Sequence, residues 1–134
     1  MRSLGLDVGK RRTGVALSDP LGVTCRPVEV IEEPDVERLI QRIVELAGGF
    51  EVEEIVVGLP RPLAGGTNEQ VEWVRTFVAA LESRSRFAVK TWDERFTTKL
   101  AGEPGPKTGA RDAVAACYML QNYLDAHANA RGER

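Results

Sequence analysis

An apolar, strand-like run that carries one carboxylate is the feature that most constrains the fold. The segment LGLDV near the N-terminus is suited to burial, yet it contains Asp7. An unpaired carboxylate costs several kcal/mol to bury, so Asp7 requires a partner. Arg11 and Arg12 follow closely and could supply an ion pair, whereas Gly5 and Gly9 would let a ligand or another backbone approach. The strand alone leaves open a structural ion pair and a metal or phosphate site.

The spacing of apolar residues predicts eight elements in the order β-β-β-α-β-α-β-α. The segment EEIVVGLP lacks alternation, which is typical of a strand buried on both faces. Three strands followed by β-α units favour an α/β fold, with a mixed central sheet and helices on its faces. The predicted strands cover residues 4–8, 14–17, 23–31, 53–60 and 86–94, and the predicted helices begin at Asp35, Thr67 and Asp112, the last ending near Asp125.

Length and composition narrow the class of protein. A chain of 134 residues fits one domain, predicted here as residues 1–126 with a disordered tail at 127–134. The sequence has neither a secretory signal nor a membrane-spanning stretch, which favours a cytoplasmic protein without membrane contact. A net charge of −2 does not match the strongly basic class of nucleic-acid binders. Cys25 and Cys117 lack metal-ligand spacing and are expected to be buried, reduced thiols.

Further carboxylates stand where elements end or begin. Asp93 and Glu94 close a strand expected to be central in the sheet, and Asp112 lies in the first turn of the last helix. Each has a simpler explanation, because strand ends are solvated and acids stabilise helix N-termini. Together with Asp7 they suit one or two Mg²⁺ or Mn²⁺ ions, which prefer oxygen ligands. Two such ions would activate water and stabilise the leaving oxygen of a phosphodiester.

Four motifs occur in an order that resembles a known family. The segments LDVGKRRTGVALSDPLG, IVVGLPRPLAGG, WDERFTT and DAVAACYMLQNYLD are similar to those of the YqgF/RuvX family, and they span nearly the whole chain. The resemblance implies an RNase H-like, RuvC-like nuclease fold. It implies that Asp7, Glu94 and Asp112 are the catalytic, metal-binding acids, with Asp93 orienting its neighbours. It further implies nucleic-acid contacts at Arg12 and, as softer candidates, at Lys10, Arg11, Arg61, Arg95 and Lys99.

The resemblance favours a Mg²⁺-dependent nuclease that processes the 5′ end of precursor 16S rRNA in ribosome biogenesis. Structured RNA is then the partner, and the protein is a monomer or a homodimer. The alternative is a Holliday junction resolvase acting on branched DNA. A sugar-kinase or actin-type ATP-binding domain is less favoured because such proteins need two domains. A non-catalytic nucleic-acid-binding module is disfavoured because uncompensated carboxylates repel phosphate.

Other residues receive simpler interpretations. Trp73 lies beside a helical apolar stripe and is expected in the core, whereas Trp92 could stack on a base. His127 is expected to be solvated in the tail. The segment from Lys99 to Arg111 is short and rich in Gly and Pro, whereas the family usually has a longer basic segment there.

Overall fold

The computed structural model describes residues 1–60, 69–94 and 110–130, and within the last range it describes the side chains of residues 112–128. The observed elements follow the predicted order. The strands are β1 (Ser3–Val8), β2 (Arg12–Ser18), β3 (Cys25–Glu32), β4 (Glu54–Leu59) and β5 (Ala88–Asp93), and the helices are α1 (Val36–Gly49), α2 (Glu69–Arg84) and α3 (Ala110–Ala130).

The five strands form a mixed sheet in the order β3-β2-β1-β4-β5. The pairs β1–β2 and β2–β3 are antiparallel, whereas β1–β4 and β4–β5 are parallel. This confirms the α/β class and places β1 at the centre. The prediction that Asp93 and Glu94 close a central strand is wrong, because among the described strands β5 pairs with β4 alone and forms an edge.

Apolar side chains cover both faces of the sheet, as three layers require. On one face, Leu4, Leu6 and the alternate residues of β2 and β4 pack with α1 and α2. On the other face, Ala16 and Val56 pack against α3. The central strands are therefore buried on both sides, as the uninterrupted apolar run of β4 predicts.

The helix boundaries agree with the capping signals where the structure describes them. Asp35 is the N-cap of α1, and its carboxylate accepts a hydrogen bond from the Glu37 N–H at 3.1 Å. Glu51 has a φ of 56° just after this helix, where the chain turns toward β4. Helix α2 is described from Glu69, so the predicted helix start at Thr67 lies outside the described residues.

Helix α3 continues to Ala130, past the predicted end near Asp125. The expectations of a disordered tail from residue 127 and of a solvated His127 are wrong for the described part of that segment. The His127 ring lies 4.1 Å from the Tyr123 ring between centroids, and its Nδ1 is 2.9 Å from the Tyr123 carbonyl oxygen. This packing on the preceding turn extends the helix. Residues 131–134 lie outside the described residues.

The tryptophans are both used in packing. Trp73 is partly buried, packs against the α1/α2 core and stacks on Phe77 with ring centroids 6.1 Å apart, so it lies at the border of the core and not within it. Trp92 meets the edge of Tyr123 on α3 at 5.9 Å. Across the described residues, no helix has the length and hydropathy needed to span a membrane.

Candidate active site

Asp7 lies near the carboxyl end of β1, on the face of the sheet that α3 covers. Side chains alternate along a strand, so Asp7 shares its face with Gly5. A methyl group on Gly5 would lie 2.9 Å from Cβ of Leu120, which shows that this face meets α3. Asp7 itself is only half-buried, because it stands where the helix begins to cover the sheet.

Asp112 is brought to this position by a close helix-strand contact. Gly14 on β2 is the register partner of Asp7. A Cβ atom on Gly14 would lie only 1.8 Å from the Asp112 carbonyl oxygen and 2.7 Å from the Ala113 nitrogen. No side chain fits there, so the absence of one at Gly14 lets the first turn of α3 rest directly on β2. Asp112 therefore lies beside the strand pair that carries Asp7.

Glu94 reaches the same face from the other side of β1. The parallel register pairs Leu6 with Val57, so Asp7 and Gly58 are the next residues along these two strands. A Cβ atom on Gly58 would lie 3.3 Å from both Cγ and Cδ of Glu94. The Glu94 side chain thus lies over Gly58, in the strand adjacent to Asp7. Glu94 directly follows the edge strand β5, and it reaches this face because its side chain crosses Gly58 on the neighbouring strand β4.

The structure therefore places Asp7, Glu94 and Asp112 on one face of the sheet. They surround two glycines that have no side chain to separate them from the sheet. Their carboxylate oxygens are the donors that Mg²⁺ and Mn²⁺ prefer, so the donor chemistry and the shared face fit a hard divalent cation. Among the described residues, however, no group of three or more His, Cys, Asp and Glu side chains is positioned to hold a metal ion. The acids share a face but are not preassembled as a cage.

Arg12 connects the β1–β2 hairpin to this carboxylate group. Its Nε lies 3.9 Å from Oδ2 of Asp112, and the two side chains are 51% and 34% exposed. A partly exposed ion pair at this distance is weak, at roughly 0–1 kcal/mol. The guanidinium can therefore exchange Asp112 for a phosphate oxygen at little cost.

A cleft of about 520 Å³ opens beside this ion pair and is lined by Arg11, Arg12, Glu32 and Pro34. Lys10 is exposed at the tip of the same hairpin. The structure thus brings three of the six basic candidates to one side of the carboxylates. The other three, Arg61, Arg95 and Lys99, lie outside the described residues.

Sequence reasoning missed the packing role of the two glycines that shape the site. It emphasised Gly5 and Gly9, but Gly5 packs against Leu120, and a Cβ on Gly9 would lie 2.6 Å from the Arg12 carbonyl oxygen within the hairpin. The contacts that bring Asp112 and Glu94 onto this face occur at Gly14 and Gly58. Their signal in the sequence is a glycine inside a strand, which often marks a close approach of another backbone or side chain.

A buried carboxylate at the other end of the same face also escaped prediction. Glu54 is 4% exposed. Its Oε2 accepts a hydrogen bond from the Ser3 hydroxyl at 2.7 Å, and its Oε1 accepts one from the Tyr123 hydroxyl at 3.2 Å. These two hydrogen bonds satisfy the buried carboxylate within the fold, so we interpret Glu54 as structural.

Comparison with known proteins identifies the family. The family model described as "RuvX: Holliday junction resolvase" matches residues 1–126. A protein of Desulforamulus reducens named "Putative pre-16S rRNA nuclease" is 38% identical over 136 residues, covering 96% of this chain and 99% of its own. A protein of the same name from Moorella thermoacetica is 42% identical over 133 residues, with 93% and 95% coverage.

Solved structures agree in fold. RuvC of Thermus thermophilus, solved in complex with a Holliday junction substrate, superposes with a TM-score of 0.64 at 17% identity, covering 99% of this chain and 97% of that one. The fowlpox virus Holliday junction resolvase gives a TM-score of 0.52 at 11% identity, with 94% and 99% coverage. The chain therefore belongs to the RuvX (YqgF) family, and it is a nuclease with the RNase H-like fold that RuvC displays.

Proposed function

We propose that this nuclease is metal-dependent, with Asp7, Glu94 and Asp112 holding one or two Mg²⁺ or Mn²⁺ ions. The observation that carries the proposal is their convergence on one sheet face through Gly14 and Gly58. Three carboxylates would repel the phosphates of a nucleic-acid substrate. A cation that binds the carboxylates and a phosphate oxygen together removes this repulsion.

Such an ion supplies a more acidic water and neutralises charge on the phosphodiester. The protein residues position these reactants. Asp7 projects from the central strand β1, which pairs with β2 on one side and β4 on the other. Arg12 binds a phosphate oxygen in place of Asp112, which releases the Asp112 carboxylate to serve as a ligand. Arg11 and Lys10 contact the nucleic-acid backbone, with Arg11 lining the cleft beside the hairpin.

We propose precursor 16S rRNA, at its 5′ end, as the substrate. The support is the shared name of the relatives at 38% and 42% identity, each aligned over nearly its full length. A four-way DNA junction is the second candidate, supported by the description of the family model. The two differ in a physical requirement, since symmetric cutting of a junction needs two copies of the active site.

The test compares wild type with Asp7→Asn on three labelled substrates, namely a precursor 16S rRNA leader, single-stranded RNA and a four-way DNA junction. Each reaction contains Mg²⁺, Mn²⁺ or EDTA. We expect cleavage of the rRNA leader at its 5′ processing site with metal, and loss by at least about 1,000-fold in Asp7→Asn, because the amide carries no charge to bind the cation. Asp35→Asn is the matched control, since asparagine also caps helices well.

Each outcome discriminates. Full activity of Asp7→Asn, or equal cleavage in EDTA, would refute the metal-dependent proposal. Paired symmetric cuts in the junction, with the rRNA leader intact, would establish the second substrate in place of the first.

Metal binding provides a readout that does not depend on turnover. Because the carboxylates are not preassembled, we expect weak Mn²⁺ binding by the protein alone. We expect tighter binding when a non-hydrolysable nucleic acid contributes phosphate oxygens as further ligands. Calorimetric titrations of wild type and Asp112→Asn, with and without that nucleic acid, measure both effects.

A further inference from the structure

Two cysteines meet between α3 and the edge strand β3. Sγ of Cys25 lies 3.1 Å from Sγ of Cys117, although the residues are 92 positions apart in the sequence. Cys25 also donates a hydrogen bond to the Cys117 carbonyl oxygen at 3.2 Å. Both thiols are partly exposed, whereas the sequence predicts buried ones.

The elements that carry the thiols are held in place by further contacts. Cys25 is the first residue of β3 and packs, with Cys117, against the core formed by α3 and the sheet. One turn after Cys117, the Gln121 side-chain amide donates a hydrogen bond to the Val23 carbonyl oxygen at 2.8 Å. The proximity of the sulfurs is therefore a property of the packed fold.

The two thiols differ in chemical character. The hydrogen bond with Cys25, acting against burial, lowers the pKa of the Cys117 thiol. The same hydrogen bond and burial raise the pKa of the Cys25 thiol, with smaller contributions from the charges of Cys117 and Asp125. The contact between the two sulfurs lets one thiol stabilise the thiolate of the other, and the lowered pKa favours Cys117 as the nucleophile.

We propose that Cys25 and Cys117 form an oxidation site, at which a peroxide converts the pair to an intramolecular disulfide between β3 and α3. The sulfurs must approach by about 1 Å to reach a bonding distance of about 2.05 Å, which a small rotation of the two side chains provides. Partial exposure of both residues gives a small oxidant access.

The reaction balances in two steps when the oxidant is hydrogen peroxide. The Cys117 sulfur attacks one peroxide oxygen, the O–O bond breaks, and a sulfenic acid forms with release of one water. The Cys25 sulfur then attacks the Cys117 sulfur, the S–O bond breaks, and the second water leaves with the remaining thiol proton. The protein loses two protons and two electrons, equivalent to two hydrogen atoms, and the peroxide is reduced to two waters.

The disulfide would constrain the helix that carries a carboxylate of the active site. Cys117 lies 5 residues after Asp112 on α3, about one and a half helical turns away. The bond would join this part of α3 to β3, on the far side of β2 from Asp7. Oxidation would thereby tie α3 covalently to β3, next to β2, on which the first turn of α3 already rests at Gly14.

The test treats dilute, folded protein with a few equivalents of hydrogen peroxide, followed by intact-mass measurement and a peptide map without reductant. We expect a monomer lighter by two hydrogen atoms, a peptide joining Cys25 to Cys117, and full reversal by a dithiol reductant. Cys25→Ser and Cys117→Ser, which preserve size, should each fail to lose the two hydrogens. Wild type in concentrated urea should form the bond at least tenfold more slowly, because unfolding separates the sulfurs.

Three results would overturn the proposal. One is a sulfinic acid on Cys117 with the Cys25 thiol intact, which would show that the second step does not compete with further oxidation. Another is a disulfide that joins two chains without any intramolecular product. The third is an equal rate of bond formation in urea, which would show that the folded geometry contributes nothing.

Discussion

Gly14→Ala is expected to inactivate the nuclease without removing any functional group. The new Cβ would lie 1.8 Å from the Asp112 carbonyl oxygen, and an ordinary contact requires at least 3.4 Å. The first turn of α3 must therefore move away from β2 by about 1.6 Å, and Asp112 moves with it. A displacement of about 1 Å in a catalytic group can cost 100-fold in rate.

We thus expect kcat to fall by at least about 100-fold, which corresponds to about 2.7 kcal/mol of transition-state stabilisation. Overpacking should also lower the free energy of unfolding, by about 1–3 kcal/mol. Activity is therefore measured at a temperature where urea titration shows the variant to be folded. Gly48→Ala is the matched control, because a Cβ there meets nothing within 4 Å and alanine favours the helix.

A double-mutant cycle tests whether the effect passes through Asp112. In the Asp112→Asn background, Gly14→Ala should reduce the remaining rate far less than in wild type, because both substitutions remove the same interaction. The reasoning is refuted if Gly14→Ala retains half of the wild-type rate, or if its effect is undiminished in that background.

Two other perturbations probe the arginine and the pH dependence. Arg12→Ala should weaken binding of non-hydrolysable nucleic acid and lower the slope of log Kd against log salt concentration by about 1, whereas Arg38→Ala should leave the slope unchanged. For Asp19, burial acts to raise the pKa, but hydrogen bonds from backbone N–H groups, including those of Val23 and Thr24, lower it overall. The stabilisation that ionised Asp19 contributes is therefore present above the unfolded pKa of about 3.9 and is lost as the pH falls through the lower folded value. Acid titrations monitored by circular dichroism should show a smaller loss of stability in Asp19→Asn than in wild type.

The sequence predicted what depends on local pattern. The element order, the burial of β4 and the cap at Asp35 follow from apolar spacing and from side chains acting within a few residues. The position of β5 at the edge of the sheet does not follow from local pattern. The order of the parallel strands depends on where each β-α-β connection places its second strand, and this is decided by tertiary packing. The meeting of Cys25 with Cys117, and the length of α3, depend on packing between distant segments, which spacing along the chain does not encode.

The sequence singled out the residues of the candidate site but not how they are brought together. Asp7, Glu94 and Asp112 were selected by their positions at element ends and by the family resemblance; the structure lays them on one face of the sheet, and their catalytic role stays a prediction. The way in which they converge rests on Gly14 and Gly58, whose importance becomes visible only when α3 and Glu94 lie over them. A glycine in a strand has several meanings, and only the tertiary contact distinguishes them.

Glu54 and Asp112 lie at the two ends of the sheet face that α3 covers, and they differ in burial and in the strength of their contacts. Glu54 is enclosed and held by the hydroxyls of Ser3 and Tyr123. Asp112 is 34% exposed and has an Arg12 contact of 3.9 Å, which is replaceable. Neutralising a buried, hydrogen-bonded carboxylate removes charge-assisted bonds, so Glu54→Gln should lower the free energy of unfolding by about 1.5–3 kcal/mol.

By contrast, Asp112→Asn should change the free energy of unfolding by less than about 1 kcal/mol, because exposed ion pairs contribute little. Its cost should appear in cleavage and metal binding instead. Urea titrations of both variants, beside cleavage assays, test this division. A large loss of stability in Asp112→Asn would mean that this acid serves the fold as Glu54 does, and its open position beside Asp7 would then need another explanation.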